Sequence, residues 1–117
     1  MRAELRKLMT IEHGDLNAVR PADDAFCVSL RALIGPVDAE GEECFDFGVC
    51  SPAWLEAEVE RHSILSGRFL LIARHFDAKQ VESYVRKRIA QASGPDWPTV
   101  ANQLARWSKW EFEDYTG

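Results

Sequence analysis

The alternation of apolar and polar positions predicts three β-strands in the first half of the chain. Residues 2–11 alternate imperfectly with charged positions, which favours a strand. Residues 26–34 alternate with a clear period of two until Gly35-Pro36 stops the pattern. Residues 44–50 repeat this alternation after the polar loop 37–42. The second and third strands are therefore predicted to form a long hairpin with an acidic tip.

The second half of the chain predicts three helices and two further strands, at residues 68–76 and 109–115. Ser51 followed by Pro52 is typical of a helix N-cap with proline in the first helical position. Asp77 is expected to cap a second helix, and Asp96-Trp97-Pro98 to open a third. Both later helices carry apolar stripes, which are Ala78, Val81, Val85, Ile89 and Ala92 in one and Val100, Leu104 and Trp107 in the other.

The resulting order, β-β-β-α-β-α-α-(β), predicts an α+β fold. We expect a single domain over residues 1–117, with a largely antiparallel sheet of four to five strands and about three helices mainly on one face. Hydrophobic residues make up 46 % of the chain and aromatic residues 10 %, a composition that argues against disorder.

Negative charge is concentrated in one part of the sequence. The formal net charge is −5, but the stretch between Arg31 and Arg61 holds eight carboxylates and no Lys or Arg. Among them, Glu56 and Glu60 lie four residues apart on the first predicted helix, a spacing that is mildly unfavourable through repulsion. We interpret the acidic stretch as a surface for a basic partner; a solvated hairpin and helix face is the alternative interpretation.

The same charge pattern argues against nucleic-acid binding, which needs clustered Lys and Arg to neutralise phosphates. The basic triplet Arg86-Lys87-Arg88 is typical of the exposed face of an amphipathic helix. No apolar run approaches the length of a membrane span, and the first residues carry no signal-peptide pattern. Three cysteines without a secretion signal favour a reduced, cytoplasmic protein in which all three thiols are small buried residues.

The sequence offers no motif for catalysis or for a cofactor. His13, His62 and His75 do not combine with the cysteines in any zinc-binding spacing. Neither a glycine-rich phosphate loop nor a nucleophile elbow is present. Asp46, set between two phenylalanines on the third strand, is expected to need a partner, and Arg31 on the neighbouring strand is the candidate.

Two motifs carry a family resemblance. The run Phe45-Asp46-Phe47-Gly48-Val49-Cys50-Ser51-Pro52-Ala53-Trp54-Leu55 is followed much later by Trp110-Glu111-Phe112-Glu113-Asp114-Tyr115, and Ala32-Leu33-Ile34-Gly35-Pro36 precedes both. Together they resemble the immunity protein 8 family of bacterial polymorphic toxin systems. The resemblance implies a small cytoplasmic α+β protein, encoded beside a toxin, that binds and neutralises that toxin without catalysis. It supplies no catalytic residues, and it suggests that Phe45, Phe47, Trp54 and Leu55 belong to the core.

Charge pattern and resemblance together predict a non-catalytic toxin inhibitor without a cofactor. Its partner is expected to be basic, with a nuclease as one candidate. The alternative is an adaptor or housekeeping domain that forms a homo-oligomer through its sheet edge or terminal aromatics; a small hydrolase using His62 or His75 is a third, weaker alternative. Trp110, Phe112 and Tyr115 are expected either to pack in the core or to form an anchor at the interface. The toxin-binding candidates are Asp38, Glu40, Glu42, Glu43, Glu56, Glu60, Glu111 and Glu113.

Overall fold

The computed structural model describes residues 1–12 and 14–114, which form five strands and three α-helices. A short 3-10 turn, Leu16–Ala18, lies between the first two strands. In chain order the elements are β1 (Ala3–Thr10), β2 (Cys27–Pro36), β3 (Glu43–Cys50), α1 (Pro52–His62), β4 (Leu70–Ile72), α2 (Ala78–Ala90), α3 (Trp97–Leu104) and β5 (Lys109–Trp110).

The strands form one open sheet in the order β1-β2-β3-β4, and β5 also pairs with β3. The β1/β2, β2/β3 and β3/β5 pairs are antiparallel, whereas β3 and β4 are parallel. β4 lies beside residues 48–50 of β3 and β5 beside residues 45–46, so the two short strands share one edge of β3. The predicted α+β class and largely antiparallel sheet are confirmed.

One face of the sheet packs against α2 and α3 to form the hydrophobic core. Alternate residues of the central hairpin point to this face, because a strand places successive side chains on opposite sides. The predicted stripes of α2 and α3 are confirmed as the helical side of this core, with Val85, Val100 and Leu104 fully buried. The strand residues of the core include Leu30, Ala32, Ile34, Phe45, Phe47 and Val49.

Helix α1 behaves differently from the other two. Ser51 caps it as predicted, because its Oγ accepts a hydrogen bond of 3.2 Å from Trp54 N. However, none of its residues is buried, and Val59 is 44 % exposed. Trp54 and Leu55 are half-buried and lie outside the core cluster, so their expected place in the core is wrong. Charged side chains along the helix leave it too narrow an apolar face for a core position.

Two predicted strands are much shorter than expected. The strand predicted at 68–76 contains only β4, which begins after Phe69 in the left-handed region (φ 68°). Within residues 109–114, the strand predicted at 109–115 is reduced to β5, because residues 111–114 turn and Glu113 N donates to the Trp110 carbonyl at 2.9 Å. Tyr115 lies outside the described residues.

The prediction of three reduced cysteines is also wrong. Cys27 and Cys50 face each other across β2 and β3 and are joined by a disulfide bond. Cys44 is the free cysteine. The cause is the strand register, which brings together two residues 23 positions apart and cannot be obtained from a cysteine count.

No helix within residues 1–12 and 14–114 is long and apolar enough to cross a membrane.

Candidate functional site

The loop between β2 and β3 forms the clearest charged surface, which we call the acidic tip and define as Asp38, Glu40 and Glu42. All three side chains are exposed. The loop backbone is held by Arg6, whose Nη2 donates to the carbonyls of Pro36 at 2.7 Å and Ala39 at 3.0 Å. A cation therefore fixes the main chain of the loop while its carboxylates remain in solvent.

The carboxylates of the acidic tip have no ion-pair partner in the described part of the chain, although Arg6 lies against the loop backbone. Within residues 1–12 and 14–114, none of its three carboxylates forms an ion pair, and Arg6 pairs instead with Glu4 at 3.1 Å. Like charges held close together repel each other and lower the stability of the fold.

Glu43, next to the acidic tip in sequence, has a different environment. Its Oε1 accepts hydrogen bonds from two indole nitrogens, Trp97 Nε1 at 2.6 Å and Trp110 Nε1 at 2.9 Å. Both contacts are partly buried, and the ring of Trp110 stacks on Phe45 in the core. A buried indole N–H needs an acceptor. Glu43 therefore joins β3, α3 and β5 and is directed away from solvent.

Glu111 lies at the same end of β3 as the acidic tip. It is exposed, and its Oε1 accepts a hydrogen bond of 3.2 Å from Cys44 N. Burial, reinforced by the neighbouring Glu111 carboxylate, raises the pKa of the Cys44 thiol above its ordinary value. A thiol with a raised pKa is a poor nucleophile at neutral pH, so this cysteine does not resemble a catalytic one.

Glu56 and Glu60 are exposed on α1, at the opposite end of β3 from the acidic tip. The eight-residue strand β3, about 23 Å long at a rise near 3.3 Å per residue, lies between the loop and the start of α1. Exposed charges are largely screened beyond about 8 Å at physiological salt. The structure therefore places the predicted candidates in two groups, on elements that meet β3 at its opposite ends.

The remaining acidic candidate, Glu113, is half-buried and pairs with Arg68 at 2.9 Å. On α1, the carboxylate of Glu58 is shared by Arg61 at 3.2 Å and His62 at 3.4 Å. These carboxylates already have cationic partners, so they present less free charge than the acidic tip.

The predicted pairing of Asp46 with Arg31 is confirmed. Arg31 Nε and Nη2 donate to the two carboxylate oxygens of Asp46 at 2.9 and 3.0 Å, in a bidentate geometry. These hydrogen bonds and the negative charge of Asp46 raise the pKa of Arg31 above its ordinary value. The pair lies on the sheet face opposite the core, and its two charges cancel.

Val37 and Phe112 are apolar residues next in sequence to acidic ones, and the sequence did not predict that they act together. Val37, which precedes Asp38, is 47 % exposed, and Phe112, which follows Glu111, is 38 % exposed and packs edge-on against Trp110 at 6.0 Å. Of the two roles expected for Phe112, the exposed position favours the anchor over the core.

Among the described residues there is no group of three or more His, Cys, Asp or Glu side chains that could hold a metal ion. His13, one of the three histidines considered for a metal site, lies outside the described residues.

A family model described as Immunity protein 8 matches residues 3–115, nearly the whole chain. No curated protein and no solved structure matches the sequence significantly.

Proposed function

The chain belongs to the immunity protein 8 family and therefore has the role of an immunity protein, and we propose that it fills this role by binding a cognate toxin through the acidic tip. The observation that carries the proposal is the set of three exposed carboxylates, Asp38, Glu40 and Glu42, that form no ion pair within residues 1–12 and 14–114. The partner is then a toxin with a basic surface, and a nuclease is one such class because its site binds phosphates with cations.

In this proposal the contact has an electrostatic part and an apolar part. Complementary charge raises the rate of association, by up to a few orders of magnitude at low salt. Val37 and Phe112 supply apolar contact area beside the charges, and such contacts mainly set the dissociation rate. Glu111 is included in this surface because it lies at the same end of β3 as the acidic tip. Glu43 instead stabilises that end of β3, through its hydrogen bonds with Trp97 and Trp110.

The second acidic group, Glu56 and Glu60, forms a separate candidate contact on α1. Glu113 contributes less, since Arg68 already neutralises it. We infer that inhibition needs no chemistry from this protein and no cofactor, because blocking the basic site of the toxin is sufficient. The proposed compartment is the cytoplasm; this inference now rests on the family alone, since Cys27 and Cys50 are paired.

The test is co-expression with the toxin-like protein encoded by the neighbouring reading frame. We expect that protein to arrest growth when expressed alone, and this chain to restore growth and to co-purify with it. Rescue that is retained when Asp38, Glu40 and Glu42 are all replaced by Lys would contradict the acidic tip as the contact. Absence of any rescue by the unmodified chain would contradict the pairing of these two proteins.

One observation favours a second candidate, self-association. Ile72 on the edge strand β4 is 62 % exposed and Ile64 ahead of it 87 %, and exposed apolar edges can pair with another copy. Light scattering of the purified protein without toxin separates the two cases, because a monomer at micromolar concentration excludes stable self-association.

A further inference from the structure

The β2–β3 hairpin is closed at both ends. The loop 37–42 joins the strands at one end, and the disulfide between Cys27 and Cys50 joins them at the other, where the Cα atoms are 4.1 Å apart. The open end of a hairpin is the end that frays first, because no chain connection holds it. A covalent bond there opposes the fraying.

Cys50 is also the point at which the next part of the fold is attached. Its carbonyl accepts a hydrogen bond from Ala73 N at 3.0 Å, at the end of β4. Ser51 follows it directly, and the Ser51 hydroxyl both caps α1 and accepts a hydrogen bond from Phe26 N at 3.1 Å. The pairing of β2 with β3 at this end therefore determines where α1 begins and where β4 ends.

The segment built on this end, residues 51–73, is otherwise weakly held. Helix α1 buries no residue, and β4 is three residues long and pairs with residues 48–50 of β3. From this segment only Leu71 and Ala73 pack against the hydrophobic core cluster, and neither Cys27 nor Cys50 belongs to that cluster. Loss of the disulfide should therefore affect this segment while leaving the core intact.

The two sulfur atoms differ in access. Cys50 is fully buried, whereas Cys27 is half-buried and lines an open cleft of about 520 Å³ beside Phe26 and Ser29. A dithiol reductant is therefore expected to attack the sulfur of Cys27. The new S–S bond forms there, the Cys27–Cys50 bond breaks, and Cys50 leaves as a thiolate that takes up a proton. The second thiol of the reductant then displaces Cys27, which also becomes a thiol, and the reductant leaves as a cyclic disulfide.

We propose that the Cys27–Cys50 disulfide is a redox-controlled clamp that fixes residues 51–73 on the sheet, so that reduction opens this segment locally without unfolding the protein. The extension to toxin binding rests on the proposed function. Since α1 carries Glu56 and Glu60, a toxin contact on that helix becomes weaker in the reduced protein, whereas a contact at the acidic tip does not change.

The experiment is amide hydrogen exchange of the full chain, read by mass spectrometry, with and without dithiothreitol. We expect exchange within residues 53–63 and 70–73 to accelerate about tenfold or more on reduction, given the size of typical disulfide effects. Exchange of the buried parts of β2 and α2 should change less than about twofold. Equal acceleration throughout the chain, or no change in 51–73, would overturn the proposal.

Matched variants separate the clamp from general effects of reduction. Cys27→Ala/Cys50→Ala should exchange like the reduced protein and lose its response to dithiothreitol, and Cys44→Ala should retain the full response. Alkylation without reductant should modify one cysteine of the three, and modification of all three would show that the disulfide is absent. Failure of both redox forms to bind the toxin would count against the proposed function, whereas the exchange result tests the clamp independently.

Discussion

Trp97 donates a hydrogen bond of 2.6 Å from its indole nitrogen to Oε1 of Glu43, which joins the first residue of α3 to the first residue of β3. The same oxygen accepts a second indole N–H, that of Trp110 in β5. One carboxylate thus satisfies two partly buried donors from distant parts of the chain. Its place beside the acidic tip is a consequence of this structural role.

Replacing Glu43 by Ala should therefore destabilise the fold. Two indole N–H groups lose a charged acceptor, and we expect a loss of about 2–3 kcal/mol in the free energy of unfolding. Glu43→Gln keeps an acceptor and should cost about 1 kcal/mol. Urea denaturation measures both. Glu42→Ala is the matched control, and its effect should stay within about 0.5 kcal/mol; equal effects at positions 42 and 43 would contradict the structural role.

Gly35 should not tolerate a side chain. A Cβ atom at this position would collide with the backbone carbonyl of Gly41, across the loop that carries the acidic tip. We expect Gly35→Ala to lower the free energy of unfolding by about 2 kcal/mol or more, because the backbone must move. Gly67→Ala is the control, since a Cβ there meets no atom within 4 Å. Equal thermal stability of the two variants would rule out this close approach.

The Arg31–Asp46 pair should contribute modestly to stability. Its side chains are 40 % and 30 % exposed, so solvent screens part of the attraction. A double-mutant cycle with Arg31→Met and Asp46→Asn should give a coupling energy of about 1 kcal/mol at low salt, and less in 1 M NaCl. A coupling that does not change with salt would show that packing, and not charge, holds the two side chains together.

The N-cap of α3 should produce a dependence of stability on pH. Hydrogen bonds from the hydroxyl and the backbone N–H of Thr99 lower the pKa of Asp96 below its ordinary value. The associated stabilisation is fully present above the unfolded pKa, about 3.9, and is lost as pH falls through the lower pKa of the folded state. Asp96→Asn keeps the cap without the titration, so its stability relative to wild type should rise between pH 5 and pH 2.5 in denaturation experiments.

The two acidic surfaces can be separated by charge reversals of equal size. Glu40→Lys/Glu42→Lys changes the acidic tip, and Glu56→Lys/Glu60→Lys changes α1 by the same amount. If the tip meets the toxin, the first variant should associate about tenfold more slowly at low salt and lose most of its salt dependence. The second should change the association rate less. Stopped-flow kinetics with the cognate toxin measures both association rates. If the α1 variant loses more of its association rate than the tip variant, the toxin contact lies on α1.

Local signals in the sequence were sufficient for much of the fold. The alternating residues of β2 and β3, ended by Gly35-Pro36, specify a hairpin whose register then places Asp46 opposite Arg31. The N-cap at Ser51 could be predicted because helix capping depends on residues that are close in sequence. The same holds for Asp77, whose Oδ1 accepts from two backbone N–H groups of α2.

Features that depend on distant contacts could not be predicted in this way. The partners of Glu43 lie 54 and 67 residues away, so its role cannot be distinguished from that of Glu42 in the sequence. The Cys27–Cys50 pair is different, because the register that places Asp46 opposite Arg31 also places Cys50 opposite Cys27, so the predicted hairpin already implied this pairing. The separation of the loop from α1 is also a local feature, because the strand predicted at 44–50 already lies between them in the sequence.

The late position of β5 in the chain has a consequence for biosynthesis. β3 is complete by residue 50, yet its outer edge at Phe45 and Asp46 stays unpaired until Lys109 and Trp110 arrive, and Glu43 gains its second indole partner only then. Such non-local closure is slow compared with local helix formation. A nascent immunity protein would thus complete this edge of β3 only after Trp110 has been translated, well after the hairpin that carries its acidic loop.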